Sequence, residues 1–157
     1  MARGPFKRTR GGAFEVKLEA PERDVLRPLP GQLRDLLESE HPSSDAAVAR
    51  LFPPAYDDDP IRNLEYERLA GDDLLSERLA AVGTMERTIE AERLTEDEIL
   101  AWLGVLNDLR LVLGTRLEVT EETTPEDFPH DDPRASAYAL YAYLTWLVDA
   151  IVSALGA

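Results

Sequence analysis

Apolar and charged residues alternate near the start of the chain. Phe14, Val16 and Leu18 are separated by charged residues, and this period of two is typical of a half-buried strand. The preceding Gly11-Gly12 pair is a turn signal. We therefore predict a β-hairpin over residues 5–19, which must pack on the helices that follow because a lone hairpin is unstable.

The rest of the chain has the three- and four-residue spacing of helices, punctuated by prolines. Pro28 and Pro30 should divide the first helical stretch into a short turn and a helix from about residue 31. Thr95 and Glu98 have the spacing of a capping box, and Asp-Pro pairs at 59–60 and 132–133 are helix-start signals. The predicted helices are 21–40, 45–52, 60–93, 95–117 and 134–156, with an acidic loop over 118–133.

These elements predict one mainly α-helical domain over residues 1–157. A chain of this length can bury enough apolar surface to form a stable hydrophobic core without disulfides. The expected architecture is a bundle of about four to five helices with the N-terminal β-hairpin packed on it. One face of the 60–93 helix should pack against the core, because it carries an apolar stripe. The stripe comprises Leu75, Leu79, Val82, Met85 and Ile89.

The helix predicted over 95–117 is apolar on two faces. On a helical wheel Trp102 and most of the leucines and valines share about half of the circle, whereas Leu100 and Leu111 fall on the other side. A surface helix has a single apolar stripe. This helix should therefore be central, or should pack on a second subunit of a homodimer with its other face.

A few polar residues interrupt the apolar arc of this helix. Arg110 lies inside the arc, with Asn107 and Gly114 one turn to either side. A buried guanidinium needs a carboxylate or several carbonyl groups, and Asp149, the lone acid of the last helix, is one candidate partner. Asp108 points elsewhere on the wheel and is the weaker alternative.

Two interpretations of these polar residues are open. One is a catalytic or ligand-binding Asn-Asp-Arg cluster, and the other is a set of polar contacts that fixes helix pairing or dimer register. We favour the second, because polar residues among helical leucines commonly fix pairing. The structural or interface residues predicted in this way are Trp102, Asn107, Asp108, Arg110, Leu111, Gly114, Trp146 and Asp149.

The last predicted helix is long enough to span a membrane. However, it contains Asp149 and many small residues, and no cationic flank follows it. We predict a buried core helix and no membrane partner.

Charge is unevenly distributed. The chain has 17 basic and 31 acidic residues, a net charge of −14, which disfavours phosphate backbones and anionic lipids. The first twelve residues nevertheless contain Arg3, Lys7, Arg8 and Arg10 and no acid. This basic arm could meet nucleic acid, a protein partner or its own domain, and we favour a short solvated or self-docked strand.

The sequence lacks the common signatures of catalysis and cofactor binding. It has no cysteine, no HExxH, no G-x-S-x-G and no glycine-rich phosphate loop. The acidic runs at 57–59 and 126–132 precede helix starts and suit capping better than metal binding. We predict no catalytic, cofactor or metal site, and the absence of cysteine and of a secretory signal favours the cytoplasm.

Several segments resemble an actinobacterial domain-of-unknown-function family that includes AosR-type oxidative-stress transcription regulators. They are "QLRDLLE" (32–38), "AVARLFPPAYDDDP" (47–60), "EYERLAGDDL" (65–74), "ILAWLGVLNDLRLVLGTRLEV" (99–119) and "YLTWLVDAI" (143–151). The resemblance implies a cytoplasmic protein that works through the transcription machinery, by contact with a partner such as a stress sigma factor. It carries over no catalytic residue, and a thiol switch cannot operate in a chain without cysteine.

The leading hypothesis is therefore a non-enzymatic, dimeric regulator that binds a protein partner in transcription, such as a sigma factor or RNA polymerase. The alternatives are an adaptor in protein turnover or cofactor metabolism, an enzyme with an unrecognised carboxylate site, and direct DNA binding through the basic arm.

Overall fold

The computed structural model describes residues 4–39, 46–51 and 60–157, and for residues 39 and 60–72 it describes the backbone only. The predicted fold class is confirmed, since the protein is mainly helical with a small antiparallel sheet near its N-terminus. In chain order the elements are β1 (Phe6–Arg8), β2 (Phe14–Val16), α1 (Ala20–Leu26), α2 (Leu29–Ser39), α3 (Ala46–Ala49), α4 (Pro60–Thr88), β3 (Arg93–Leu94), α5 (Glu96–Arg116), a 3-10 turn (Pro125–Asp127) and α6 (Ala135–Leu155).

The hairpin gains a third strand that the sequence did not predict. β1 pairs with β2 in the register Phe6 to Val16, and β2 pairs with β3 in the register Phe14 to Leu94. The helix predicted over 60–93 therefore ends early, at Thr88. A strand of two residues is too short to show an alternating pattern of apolar and polar residues, so β3 is recognised only from its pairing with β2.

The other helix boundaries differ slightly from the prediction. The 21–40 stretch divides near Pro28 as expected, but α2 starts at Leu29 and contains Pro30 in its first turn, where a missing N–H costs little. α4 is continuous from Pro60 to Thr88 and includes Gly71. The predicted end of the 45–52 helix and the aspartate of the Asp-Pro start signal at 59–60 lie outside the described residues.

The helix α5 is central to the core. It packs mainly against α4 and α6, and also contacts α2, α3 and β3. Its start is fixed by the predicted capping box, because Thr95 accepts from the Glu98 amide while the Glu98 carboxylate accepts from the Thr95 amide. Between residues 99 and 115 only Leu100 is exposed. Both faces of α5 are thus largely covered within one chain, and the two-faced pattern by itself no longer requires a second subunit.

Trp102 anchors the sheet to the helices. It is fully buried, and its ring meets Phe6 edge-to-face at a centroid distance of 6.1 Å. Its indole N–H donates to the Thr88 hydroxyl at 2.8 Å, so the polar atom of this large side chain is satisfied in the core. Trp102 therefore joins β1, the end of α4 and α5.

Candidate partner-binding site

The polar residues of α5 do not form one cluster. Arg110 donates to the Asn107 side-chain oxygen, through Nη2 at 2.7 Å and Nε at 3.3 Å. Both residues are half-buried. Asp108 lies on a different face of the helix and is buried. The residues proposed as an Asn-Asp-Arg cluster therefore do not converge on a shared space, which removes the geometric basis for a catalytic interpretation.

The predicted pairing of Arg110 with Asp149 is wrong. Asp149 is exposed on α6, and the hydrogen bonds of the Arg110 guanidinium go to Asn107 on its own helix. A half-buried guanidinium keeps part of its hydration, so a neutral amide oxygen one turn away is a sufficient partner. The need for a counter-charge applies only to a fully buried cation.

Asp108, the weaker alternative in the sequence, is the buried acid of α5. Its carboxylate Oδ2 lies 3.5 Å from Nε of Arg78 on α4, and Nη2 of Arg78 donates to the Leu51 carbonyl at 2.8 Å. Burial raises the pKa of Asp108 to about 6, and the Arg78 charge opposes this shift only in part. This polar network joins α4, α5 and the residues after α3, so its role is to hold these elements together.

The sequence interpretation missed Arg78. The signal was present, because Arg78 lies between Leu75 and Val82 at three- and four-residue steps and so falls on the stripe predicted to face inward. An arginine on such a stripe implies a buried acceptor on the facing helix.

Gly114 lets α6 approach α5 closely. A Cβ atom at this position would lie 3.0 Å from Cε2 of Tyr141, which is closer than ordinary van der Waals contact. Leu111, one turn earlier, is half-buried against the core. The contact between Gly114 and Tyr141 therefore belongs to packing within the chain.

The basic arm is partly docked on its own domain. Nη1 of Arg8 donates to the carbonyl oxygens of Leu155 and Ala157, both at 3.1 Å, and the guanidinium lies 5.7 Å from the centroid of the Phe14 ring. A cation at a helix C-terminus is stabilised by the helix dipole. Lys7 and Arg10 are exposed, and Arg3 lies outside the described residues.

One face of α6 is open to solvent and is mostly apolar. Trp146 is 50% exposed and Val152 is 54% exposed, although the opposite face of α6 packs into the core through residues such as Leu147 and Ile151. The prediction of a buried core helix is therefore only half right. We call this open surface the outer face of α6, and it comprises Ala139, Ala142, Trp146, Asp149, Val152 and Ser153.

By length and composition, α6 is the one described helix that could cross a membrane. An 18-residue stretch of α6 has a mean hydropathy of 1.4, and 28% of that stretch is buried. A helix that lines the core of a water-soluble protein meets the same criterion, so this property is weak support for a membrane span.

A groove borders the outer face of α6. It has a volume of about 460 Å³ and runs between β1 and the C-terminal half of α6. Phe6 and Arg8 line it from the strand, and Trp146, Asp149 and Ala150 line it from the helix. An aromatic side chain beside an open groove is a common feature of protein-binding surfaces.

No metal-binding cluster occurs in the part of the chain that the structure describes, since no three His, Asp or Glu side chains there are grouped to hold an ion. Together the fold and surface define a small, mainly helical protein whose most distinctive feature is an exposed, mostly apolar face on α6.

The chain belongs to a known family. Residues 3–155 match the family described as "Domain of unknown function (DUF2017)", which confirms the resemblance noted from the sequence. Proteins named "Oxidative stress regulator AosR" from Mycobacterium bovis and Mycobacterium tuberculosis are each 27% identical over an alignment of 179 positions including gaps, which covers 90% of this chain and 82% of the relative. A Mycobacterium leprae protein is 30% identical over 129 residues, covering 71% of this chain and 58% of the relative. No solved structure matches the chain significantly.

Proposed function

We propose that this protein is a non-enzymatic, cytoplasmic regulator of the oxidative-stress response that acts by binding a protein of the transcription machinery, such as a sigma factor or RNA polymerase. The regulatory role is supported by the relatives, which are named oxidative stress regulators. The binding mechanism is supported by one observation above all, the exposed apolar surface around Trp146.

The outer face of α6 has the physical properties of an interface. A half-exposed tryptophan and a half-exposed valine on one helix leave apolar area in water, and covering that area is favourable by about 25 cal/mol per Å². Tryptophan is enriched among the residues that dominate binding energy. Asp149 adds one charge to this face, which would orient a partner rather than hold it.

Direct DNA binding through the basic arm has less support. The net charge of −14 repels a phosphate backbone, and the Arg8 guanidinium is already engaged at the end of α6. Regulation through a protein partner avoids both difficulties. The chain has no cysteine, so any oxidant signal must reach it by a route other than a thiol switch of its own.

A homodimer is also part of the proposal. Trp146 stands beside the groove between β1 and α6, so a twofold axis through this surface would cover Trp146 in both copies, and the dimer would have to separate before another protein binds there. Such an isologous contact uses the same patch twice. A monomeric mass in solution at micromolar concentration would remove this part of the proposal and leave the binding of another protein intact.

The test is affinity capture of RNA polymerase and its sigma factors by the full chain from an actinobacterial lysate. Trp146→Ala removes the exposed ring, and Val25→Ala is the matched control because Val25 is 46% exposed on α1 and is not part of the outer face of α6. We expect RNA polymerase subunits or a sigma factor to be recovered by the wild type and by Val25→Ala, and to be depleted with Trp146→Ala.

Circular dichroism and the melting temperature should show that Trp146→Ala is folded. Recovery of protease subunits without RNA polymerase or a sigma factor would overturn the proposal in favour of an adaptor role. Equal recovery of RNA polymerase by all three proteins would support the function but exclude the outer face of α6 as its site.

A further inference from the structure

The C-terminal part of the chain, which includes α6, is strongly acidic. From residue 117 to residue 157 the sequence contains eight acidic residues and one basic residue, Arg134. The guanidinium of Arg134 is already paired with the Asp132 carboxylate, at 2.9 Å. This stretch has a net charge of −7, which is half of the −14 of the whole chain.

The acidic loop (118–133) is held beside the outer face of α6. The Phe128 ring is buried and stacks on Tyr138 of α6, with a centroid distance of 4.6 Å. Tyr138 comes about three turns before Asp149, so the two residues lie on the same side of the helix. Glu126 and Asp131, close to Phe128 along the chain, are exposed. Carboxylates therefore border the N-terminal end of this face, and Asp149 adds another about 16 Å further along it.

Acidic residues also stand on both flanks of Trp146. Asp149 is exposed one turn later on α6. On the opposite flank Tyr143 stacks on Trp146 with a centroid distance of 6.0 Å, and the Tyr143 hydroxyl donates to the Glu22 carboxylate at 3.1 Å. A tryptophan ring attracts a cation placed over its face, and neighbouring carboxylates strengthen that attraction. The exposed ring therefore favours a partner that brings positive charge together with apolar surface.

The shape of the outer face suits a helix. The face follows the axis of α6 from Ala139 to Ser153, a length of about 21 Å. Its small side chains, such as Ala139 and Ala142, let a second helix come close. The groove of about 460 Å³ beside Trp146 can receive a large apolar side chain. Amphipathic helices bind grooves in this way, through apolar residues spaced three, four and seven positions apart.

We propose that the outer face of α6 binds a basic amphipathic helix of the protein partner. The apolar residues of that helix cover Trp146 and Val152 and enter the groove. Its lysines or arginines lie against Asp149 and the acidic loop. This inference rests on the proposed function in one respect, namely that the protein works through a protein partner.

Two other occupants match the charges less well. A second copy would bring another Asp149 and another acidic loop to the same surface, where like charges oppose pairing. A dimer formed here is therefore weaker than the complex with a basic helix, which displaces it. A lipid membrane would have to accept the Asp149 carboxylate, and anionic headgroups would meet the net charge of −14.

The first experiment measures the binding of three fluorescein-labelled peptides to the intact protein by fluorescence anisotropy. The basic helical peptide is Leu-Lys-Lys-Leu-Leu-Lys-Leu, repeated twice, and the acidic control has glutamate in place of each lysine. The third peptide, Leu-Lys-Leu-Lys-Leu-Lys-Leu repeated twice, has the same composition as the first but the period of a strand. We expect the basic helical peptide to bind about tenfold or more tightly than either control. Equal affinity of the two basic peptides, or no preference for basic over acidic, would overturn the proposal.

Single substitutions then locate the peptide on the protein. Trp146→Ala should weaken the basic helical peptide by about tenfold or more, and Asp149→Asn should weaken it about two- to fivefold. The matched control is Asp73→Asn, at an exposed carboxylate on α4, and it should leave the affinity unchanged. Both asparagine variants change the net charge equally. Equal effects of the two would show a general attraction to the acidic protein and would contradict binding at the outer face.

Light scattering and vesicles test the other occupants. We expect a protein monomer at saturating peptide and no binding to phosphatidylcholine vesicles. A dimer that persists at saturating peptide would make a second copy the occupant, and vesicle binding that Trp146→Ala abolishes would make it a lipid surface. Either result would overturn the proposal.

The two proposals of this article can fail separately. Peptide binding at the outer face without capture of RNA polymerase or a sigma factor would refute the proposed function alone. Capture of either protein without a preference for the basic helical peptide would refute this inference alone.

Discussion

Replacing Asp108 by asparagine should remove a pH-dependent penalty on folding. Asp108 is 7% exposed, and its partner Arg78 lies 3.5 Å away. Because burial outweighs the attraction of Arg78, the pKa of the carboxyl is raised. Asparagine has nearly the same shape, and it cannot ionise.

The magnitude follows from the size of the shift. Raising the pKa from 3.8 to about 6 corresponds to ~3 kcal/mol of differential stability. The folded protein binds this proton more tightly than the unfolded chain does. The contribution of Asp108 to the free energy of unfolding is therefore intact below the unfolded pKa and falls as the pH rises toward about 6. Above that pH the full penalty is present.

The assay is urea unfolding followed by far-UV circular dichroism, from about pH 4 to about pH 8. Other carboxyls complicate the absolute curves, because arginine partners lower the pKa values of Glu86, Glu90 and Asp132. Their contributions are the same in both proteins and cancel in the difference. We expect Asp108→Asn to gain ~2–3 kcal/mol relative to wild type across this range. Asp149→Asn, at an exposed carboxyl, is the matched control.

A difference between wild type and Asp108→Asn that stays constant with pH would refute the reasoning. A difference of the opposite sign would show that the ion pair with Arg78 outweighs burial, so that the pKa of Asp108 is lowered in the folded protein. Either result would require a different account of the network between α4 and α5.

The remaining predictions concern local packing and capping, and thermal melting measures each of them. Gly114→Val should destabilise the protein by about 1–3 kcal/mol, because even a Cβ atom would lie 3.0 Å from Tyr141; a higher melting temperature would contradict this close approach. Gly104→Ala, at a site where a Cβ meets nothing within 4 Å, should instead stabilise α5 by about 0.5–1 kcal/mol. Thr95→Ala should cost about 1 kcal/mol because it removes the acceptor for the Glu98 amide, and an unchanged melting temperature would show that this capping bond contributes nothing.

Local sequence patterns predicted the elements whose causes are local. The start of α5 follows from the Thr95 and Glu98 pair, whose capping hydrogen bonds span three residues. The β1–β2 hairpin follows from alternation around a glycine turn, where Gly12 adopts a φ of 84°. In both cases the interacting groups are so close along the chain that their spacing alone specifies the geometry.

Tertiary contacts decided the partners of the polar residues. A helical wheel correctly separated Asp108 from Arg110, but it could not reveal that Asp108 meets Arg78, thirty positions away, or that Arg110 turns to its own neighbour Asn107. Arg8 likewise reaches residue 155, across nearly the whole chain. Such pairings depend on how whole helices stack, and a single sequence contains no local record of that.

The sequence by itself thus determined that the protein is mainly helical, where most helices and the hairpin begin, and that α5 is too apolar to be a surface helix. Only the tertiary structure decided that β3 joins the hairpin, that α5 is covered within one chain, and that Trp146 on α6 is left open. The physical reason is that periodicity specifies which side chains share a face, whereas the burial of that face depends on what packs against it. The helix α6 illustrates this distinction, since it is apolar around most of its circumference, yet one side is buried and the side with Trp146 and Val152 is exposed.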